Sequence, residues 1–317
     1  MYNENTPPFI SKILIQQFGI SNPSPRYIEA VARAFRSGSY YSSDISYGKG
    51  QWGDLAATAA AILLDREATT AVLDADPLHG SLKAPFNKVI GLMRSMEYRR
   101  ANYSRLRYPF FDFGTRLKIG QMPYEAPNVF SFFSPLYQPS GSFTEAGLLA
   151  PESQVLSMVT ILGLMNGLTV LVKDGMIPCH GGFGSASLSQ RCNYPMGTLS
   201  FKPSSNVASK VIDELDLLLT SGRLSGENKR LILQRYTETL ASDPQNALKI
   251  AQQLVIATPE FHSTNNIRKR GGFRRVSVAS GSNTKPYKAV VTLFLAGGMD
   301  SFYMLAPFKL CTIYEGM

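Results

Sequence analysis

The chain has 317 residues, is 44% hydrophobic and 17% charged, and carries 26 Gly and 19 Pro; this suits one large domain or two ordinary ones and excludes a mainly disordered or fibrous chain. Lys and Arg number 32 against 23 Asp and Glu, a formal charge of +9, and three cysteines are too few for a disulfide scaffold of this length. No run approaches the ~18 consecutive apolar residues of a membrane span, and the polar start, Met1 to Pro8, lacks the apolar stretch of a secretory signal.

The first two-thirds read as helices with clear punctuation. Thr6-Pro7-Pro8 starts a helix with Phe9, Ile13, Leu14 and Phe18 on its apolar stripe, stopped by Gly19. Ser24-Pro25 starts the next, with Ile28, Val31, Ala32 and Phe35, stopped by Gly38. Alanine-rich Leu55 to Leu64 predicts a tightly packed helix, and Pro85 opens another carrying Phe86, Val89, Ile90, Met93 and Met96. Tyr103 to Pro151 has many aromatics, Pro and Gly and no sustained period. It reads as a long ordered loop packed through Phe130, Phe132, Phe133, Leu136 and Tyr137. Pro151 is expected to begin an apolar helix reaching Val172, with Glu152 in its first turn complementing the dipole. Lys173 to Pro203 is again loop. Three more helices are expected: Val207 to Leu219 capped by Ser205, Asn228 to Leu240 capped by Ser225, and Ala247 to Ala257 started by Asp243-Pro244. Thr258-Pro259 ends the last.

Positive charge concentrates beyond this region. Between Glu260 and Asp300 there is no acidic residue, while Arg268, Lys269, Arg270, Arg274, Arg275, Lys285 and Lys288 crowd among Gly and Ser. Such a run has little to bury and repels itself, so it reads as a solvated linker; the sharper reading, attraction of nucleic acid or anionic lipid, lacks interleaved aromatics beyond Phe273 and Tyr287. A second basic stretch, Arg94 to Lys118, does interleave aromatics, and arginines snorkelling at the rim of a helical core explain it. After the linker the period switches. Ala289 to Leu295 is a short continuous apolar run with β-branched residues, bounded by Gly297-Gly298, and fits a buried parallel strand that needs a sheet from elsewhere. The expected class is therefore mainly α. It is an irregular multi-helix domain with long aromatic and Gly-rich loops over 1–262, a basic flexible linker over 263–287, and over 288–317 a short C-terminal β-strand opening a truncated α/β domain.

Few groupings offer chemistry. Cys179, His180 and Cys192 supply three of the four ligands zinc takes; a Cys179–Cys192 disulfide and unpaired loop residues are the other readings. Gly181-Gly182-Phe183-Gly184-Ser185 lacks the Lys and following helix of a phosphate loop. His79, His180 and His262 lie apart in sequence, and no nucleophile elbow is present. Arg274-Arg275-Val276-Ser277 has the form of a basic-directed phosphorylation site and Asn102-Tyr103-Ser104 that of a glycosylation sequon. Asp300 follows the apolar run by way of two glycines. That is where α/β sheets put ligands, and a carboxylate there can hold a divalent metal or cap the next turn.

Several stretches resemble a large family of bacterial type, the domain of unknown function numbered eighteen hundred. They are Pro8 to Lys12, Asn22-Pro23-Ser24-Pro25 with Tyr27, Gly53-Asp54-Leu55, Ala59 to Asp65, Leu82-Lys83-Ala84-Pro85-Phe86, Ala126 to Pro135, Ala150-Pro151-Glu152 and Ala257-Thr258-Pro259-Glu260-Phe261. The match covers roughly residues 6–262 and corresponds to that family's carboxyl-terminal half. The tail, Val291 to Pro307, resembles the opening of a second family, numbered fifteen hundred and one, similar to alkaline phosphatases and sulfatases. That resemblance implies Asp300 as a metal ligand, although Ala296 stands where the family often has arginine. Together the two imply a helical module of unknown activity, often exported in bacteria, whose partner is its own hydrolase-like segment or a separate homologue. The alternatives are a metal-dependent phosphatase- or sulfatase-like hydrolase, and nucleic-acid or anionic-surface binding through the basic stretches.

Overall fold

The capping signals of the sequence set most helix starts. In the computed structural model residues 3–70, 79–101, 119–122, 125–129, 131–184, 192 and 195–264 are described, all within the unit Met1–Lys269. They are 54% helix and 8% strand, with two small antiparallel sheets, so the mainly α class holds. The linker, the C-terminal strand with Asp300, Phe130 and residues 102–118 of the second basic stretch lie outside the described residues.

The N-terminal elements are α1 (Thr6–Phe18), α2 (Pro25–Ser37), the hairpin β1 (Tyr40–Ser42) and β2 (Ile45–Tyr47), α3 (Leu55–Leu63) and α4 (Arg66–Thr69). The Ser24 side chain accepts from the Tyr27 amide at the start of α2. Gly38, at φ 64°, closes it in a left-handed turn that side chains resist. The hairpin was not foreseen. Ser43 and Asp44 both adopt positive φ, as a two-residue turn matching the strand twist requires. Ile15, Ile20, Tyr27, Val31, Ala34, Ala61 and Ile62 form one small core. A polar clamp ties α2 to the α3–α4 corner: Arg26 donates to both oxygens of buried Asp65, at 2.5 and 3.0 Å, and the Tyr27 hydroxyl donates to Ile62 O at 2.6 Å.

The remaining elements are α5 (Pro85–Ser95), β3 (Tyr98–Arg100), the short α6 (Ser142–Glu145), α7 (Met158–Lys173), β4 (Gly197–Leu199), α8 (Ala208–Thr220), α9 (Gly226–Ser242), α10 (Pro244–Ile256) and α11 (Pro259–His262). Their core is separate and larger, built around Leu92, Leu168, Leu171, Leu215, Ala251 and Phe261. Helix α10 packs on α7, α8 and α9, and β3 pairs with β4. Bare Gly167 lets α7 carry the Phe183 ring directly on its backbone, where a Cβ would overlap it.

Three expectations need correction. Pro151 opens a 3-10 turn, Pro151–Val155, and not the long helix, which starts afresh at Ser157 in a capping box with Thr160. Glu152 is consequently buried and off the dipole of α7. Leu136 is exposed, while Phe133 from the same loop is buried. Val207 holds the N-terminal position of α8, and the Ser205 hydroxyl instead accepts from the Val207 amide.

Asp65 titrates below the usual carboxylate range: burial opposes this, but the Arg26 hydrogen bonds and the Glu67 amide outweigh it. Asp65→Ala removes both of these hydrogen bonds, leaving Arg26 only its bond to Glu67 Oε2 at 3.1 Å, and should lower unfolding free energy by about 2 kcal/mol in a denaturant titration at pH 7. Because the folded-state value is depressed, the clamp contributes fully above the ordinary carboxylate range and is lost as pH falls through the lowered value. The gap between wild type and mutant should therefore shrink toward pH 3, and an undiminished gap there contradicts the clamp.

Candidate functional site

Hydrogen bonds from α1 and from the loops that follow it tie the N-terminal elements to segments near residues 80, 135 and 149. Gln16 Nε2 donates to Ser21 O and Pro135 O, each at 3.0 Å. Asn22 and Leu149 exchange two hydrogen bonds, Nδ2 to O at 2.9 Å and N to Oδ1 at 2.8 Å. The Ser21 amide donates to Gly80 O at 3.0 Å, and the Ser81 hydroxyl to Gly19 O at 3.0 Å. Between these ties opens a cleft of about 130 Å³, walled among others by Ser21, Asn22, Ser81, Leu82, Ala150 and Ser263.

Three wall residues are close in sequence to charged or ionisable side chains that do not themselves line the cleft. Leu82 pairs with Ser263 in an antiparallel bridge, with Lys83 N donating to His262 O at 2.9 Å, so Lys83 and His262 are brought side by side. Ala150 precedes the Pro151 turn that carries Glu152. Lys88, in the first turns of α5, is only 3% exposed, and Glu152 5%. These four are set by three proline-initiated turns, at Pro85, Pro151 and Pro259.

The electrostatics are those of charges held in a poorly solvated place. Burial pushes the Glu152 carboxyl up to about 7, against the pull of its own amide and of Lys88. Burial, then the Lys83 charge, pushes the Lys88 ammonium down to about 8, with Glu152 opposing. His262 is pushed down to about 4, first by burial and then by Lys88, while a hydrogen bond with the Ile256 backbone pulls the other way; it is neutral at pH 7. Lys83 is lowered by burial and by Arg223, and lies 5.5 Å from the centre of the Phe261 ring. Lys88 and Glu152 thus feel each other's charge, yet among the described residues no carboxylate reaches ion-pair distance of Lys83 or Lys88. Glu152 Oε2 and Ser21 Oγ are buried with no hydrogen-bond partner. Glu260, by contrast, is fully engaged: it accepts from Ser225 N and twice from Asn228 Nδ2 at 3.0–3.1 Å, while Arg223 donates to Ser263 O at 2.9 Å.

The sequence-predicted residues lie elsewhere. Cys179 and Cys192 form a disulfide, Cα–Cα 5.6 Å, one of the readings left open. Exposed His180 sits beside it at φ 56°. Bridged sulfurs are not thiolates, so a metal role for Cys179, His180 and Cys192 needs the reduced state. Among the described residues no group of three or more His, Cys, Asp or Glu is arranged to hold a metal ion. His79 lines the junction cleft and His262 joins the charge cluster, so two histidines far apart in sequence do come to one region. Lys83, Lys88 and Glu152 were missed as site residues. The available signal was a nearby proline: Lys83 and Glu152 lie inside the short motifs Leu82 to Phe86 and Ala150 to Glu152, and Lys88 follows the first of them by two residues.

Fold and site together define a mainly helical protein with a buried charge cluster at an internal junction. Residues 1–263 match the model of the family described as Protein of unknown function (DUF1800), and the chain belongs to that family. No curated protein and no solved structure matches it.

Glu152 has its folded-state value raised, so it favours folding fully only below the ordinary carboxylate range and loses that contribution as pH rises through about 7. The span corresponds to on the order of 3 kcal/mol. Glu152→Gln, which cannot ionise, should unfold at similar denaturant concentration to wild type at pH 5 and be the more stable at pH 8. Equal pH dependence of the two proteins rules out a buried, neutral carboxyl.

Proposed function

We propose that residues 1–263 form a non-catalytic binding module, accessory to a metallohydrolase-like domain to which segment 288–317 would supply the opening strand. The observation that carries the binding half is the Lys88–Glu152 pair. Lys88 and Glu152 are both buried without an ion pair between them, and Glu152 Oε2 has no hydrogen-bond partner, so the cluster keeps polar groups that a ligand's own groups can satisfy. Against catalysis by this unit stands the engagement of the partly buried His262 imidazole: it hydrogen-bonds backbone, and among the described residues no serine, threonine or cysteine side chain is hydrogen-bonded to its ring. The partner half rests on the resemblance of Val291 to Pro307 to the phosphatase- and sulfatase-like family. The second reading makes the chain a metal-dependent hydrolase with Asp300 as a metal ligand, and it is favoured by the position of that carboxylate after an apolar run and two glycines.

Hydrolysis separates the two. The chain, assayed on phosphate and sulfate monoesters with zinc, magnesium, calcium or manganese, should show no turnover above solvent, and Asp300→Ala should behave identically. Turnover that disappears with Asp300→Ala would falsify the accessory reading.

A further inference from the structure

We propose that the cavity between α1 and the loop 129–135 binds a small, neutral aromatic molecule carrying one hydrogen-bond donor, of the indole or phenol class, with Gln16 Oε1 as the acceptor. Neither Lys88 nor Glu152 lines this cavity, so the inference goes beyond the binding-module reading and does not rest on that pair.

The cavity holds about 250 Å³, and its walls include Ile13 and Gln16 of α1, Val129, Phe133, Pro135 and Pro151. That is just under the ~300 Å³ at which drug-sized sites begin, room for one ring system. The loop wall is pinned on both sides: Gln16 Nε2 donates to Pro135 O at 3.0 Å, and the Ser134 amide donates to Gln154 Oε1 at 2.7 Å. Gln16 is only 3% exposed. Both N–H groups of its amide are spent, on Ser21 O and Pro135 O. This fixes which way the amide faces, since the reverse would set Oε1 against two carbonyl oxygens. Oε1 is then an acceptor, and it is buried with no partner among the described residues. A buried acceptor left unmade is costly, and the cavity that Gln16 lines is where a donor can enter. A water there would need roughly two to four polar partners. The other polar lining residues, Gln17 and Ser131, are exposed and so stand at the mouth, while Ile13, Phe133, Pro135 and Pro151 are apolar.

The lining selects the ligand class. It contains no ionisable side chain, so a charged ligand would lose its hydration with no counter-charge in return. The Phe133 ring and the two prolines offer flat apolar surface to a ring face. Val129, 94% exposed, is apolar surface at the mouth left for a bound ring to cover. One sheltered acceptor calls for one donor, and a second donor on the ring would be buried unmatched.

Calorimetric titration of the full chain with indole and with benzofuran tests this. The two rings share a shape, but benzofuran has an acceptor oxygen where indole has its N–H. Indole should bind one to one and saturably, and benzofuran about tenfold or more weakly, which is about 1.4 kcal/mol. Ile13→Trp, at a half-buried position on α1, fills the cavity and should abolish indole binding at an unchanged melting temperature. Should that variant fail to fold, Val129→Ala, at an exposed position, serves instead: it should weaken indole about fourfold, the effect of about one methylene left uncovered, and keep the preference over benzofuran. Absent indole binding, equal affinities for the two rings in the wild type, or indole affinity unmoved by the cavity variant each overturn the assignment. None of these outcomes bears on hydrolysis or on Asp300, so the accessory reading stands or falls separately.

Discussion

Everything in the described fold depends on how two separate hydrophobic cores are held together. The small core under α1, α2 and α3 and the large one around α7, α8 and α10 are separate clusters, and no substantial helix-to-helix packing crosses between them. Polar ties cross between them: side-chain amides of Gln16 and Asn22, the Ser81 hydroxyl, and backbone groups of loops near residues 20, 80, 135 and 149. Hydrogen bonds fix geometry but supply little net stability each, about 1 kcal/mol. A junction made this way is well ordered yet weakly welded, and it leaves polar atoms over. The four buried side-chain atoms without partners among the described residues are Ser11 Oγ, Gln16 Oε1, Ser21 Oγ and Glu152 Oε2. Two of these residues belong to the ties or the cleft wall, and Glu152 lies next to it.

Helix starts were legible because they are local. Ser24-Pro25, Ser225 and Asp243-Pro244 cap their own following turns, and no distant residue is needed to see it. The break at Ser157 was not legible from Pro151, since proline starts a 3-10 turn and an α-helix equally well, and the better signal was the Ser157–Thr160 spacing of a capping box. The short strands escaped for the opposite reason. Tyr98–Arg100 and Gly197–Leu199 are three residues each, too short for a period, and they exist because they find each other across about a hundred residues of chain. The site was illegible for the same cause. Lys83, Glu152 and His262 are ordinary residues in sequence, and only their burial together changes their chemistry.

The resemblance motifs nevertheless pointed to the right places without saying what they do there. Leu82 to Phe86, Ala150 to Glu152 and Ala257 to Phe261 converge on one cluster, and each contains a proline at the first or second position of a helical turn. A proline there costs no hydrogen bond and fixes the backbone angle on entry. The direction of the side chains in the following turn is then set with little freedom: Lys88 and Glu152 enter the interior, and Glu260 reaches the start of α9. Charged residues normally avoid such positions, because burial without a partner costs more than most single contacts return. Rigid, proline-framed turns are the local means of holding them there. That expense is hard to reconcile with a scaffold alone, since apolar residues of similar volume would stabilise the junction better, and it is the physical reason to look for a ligand at this point of the molecule.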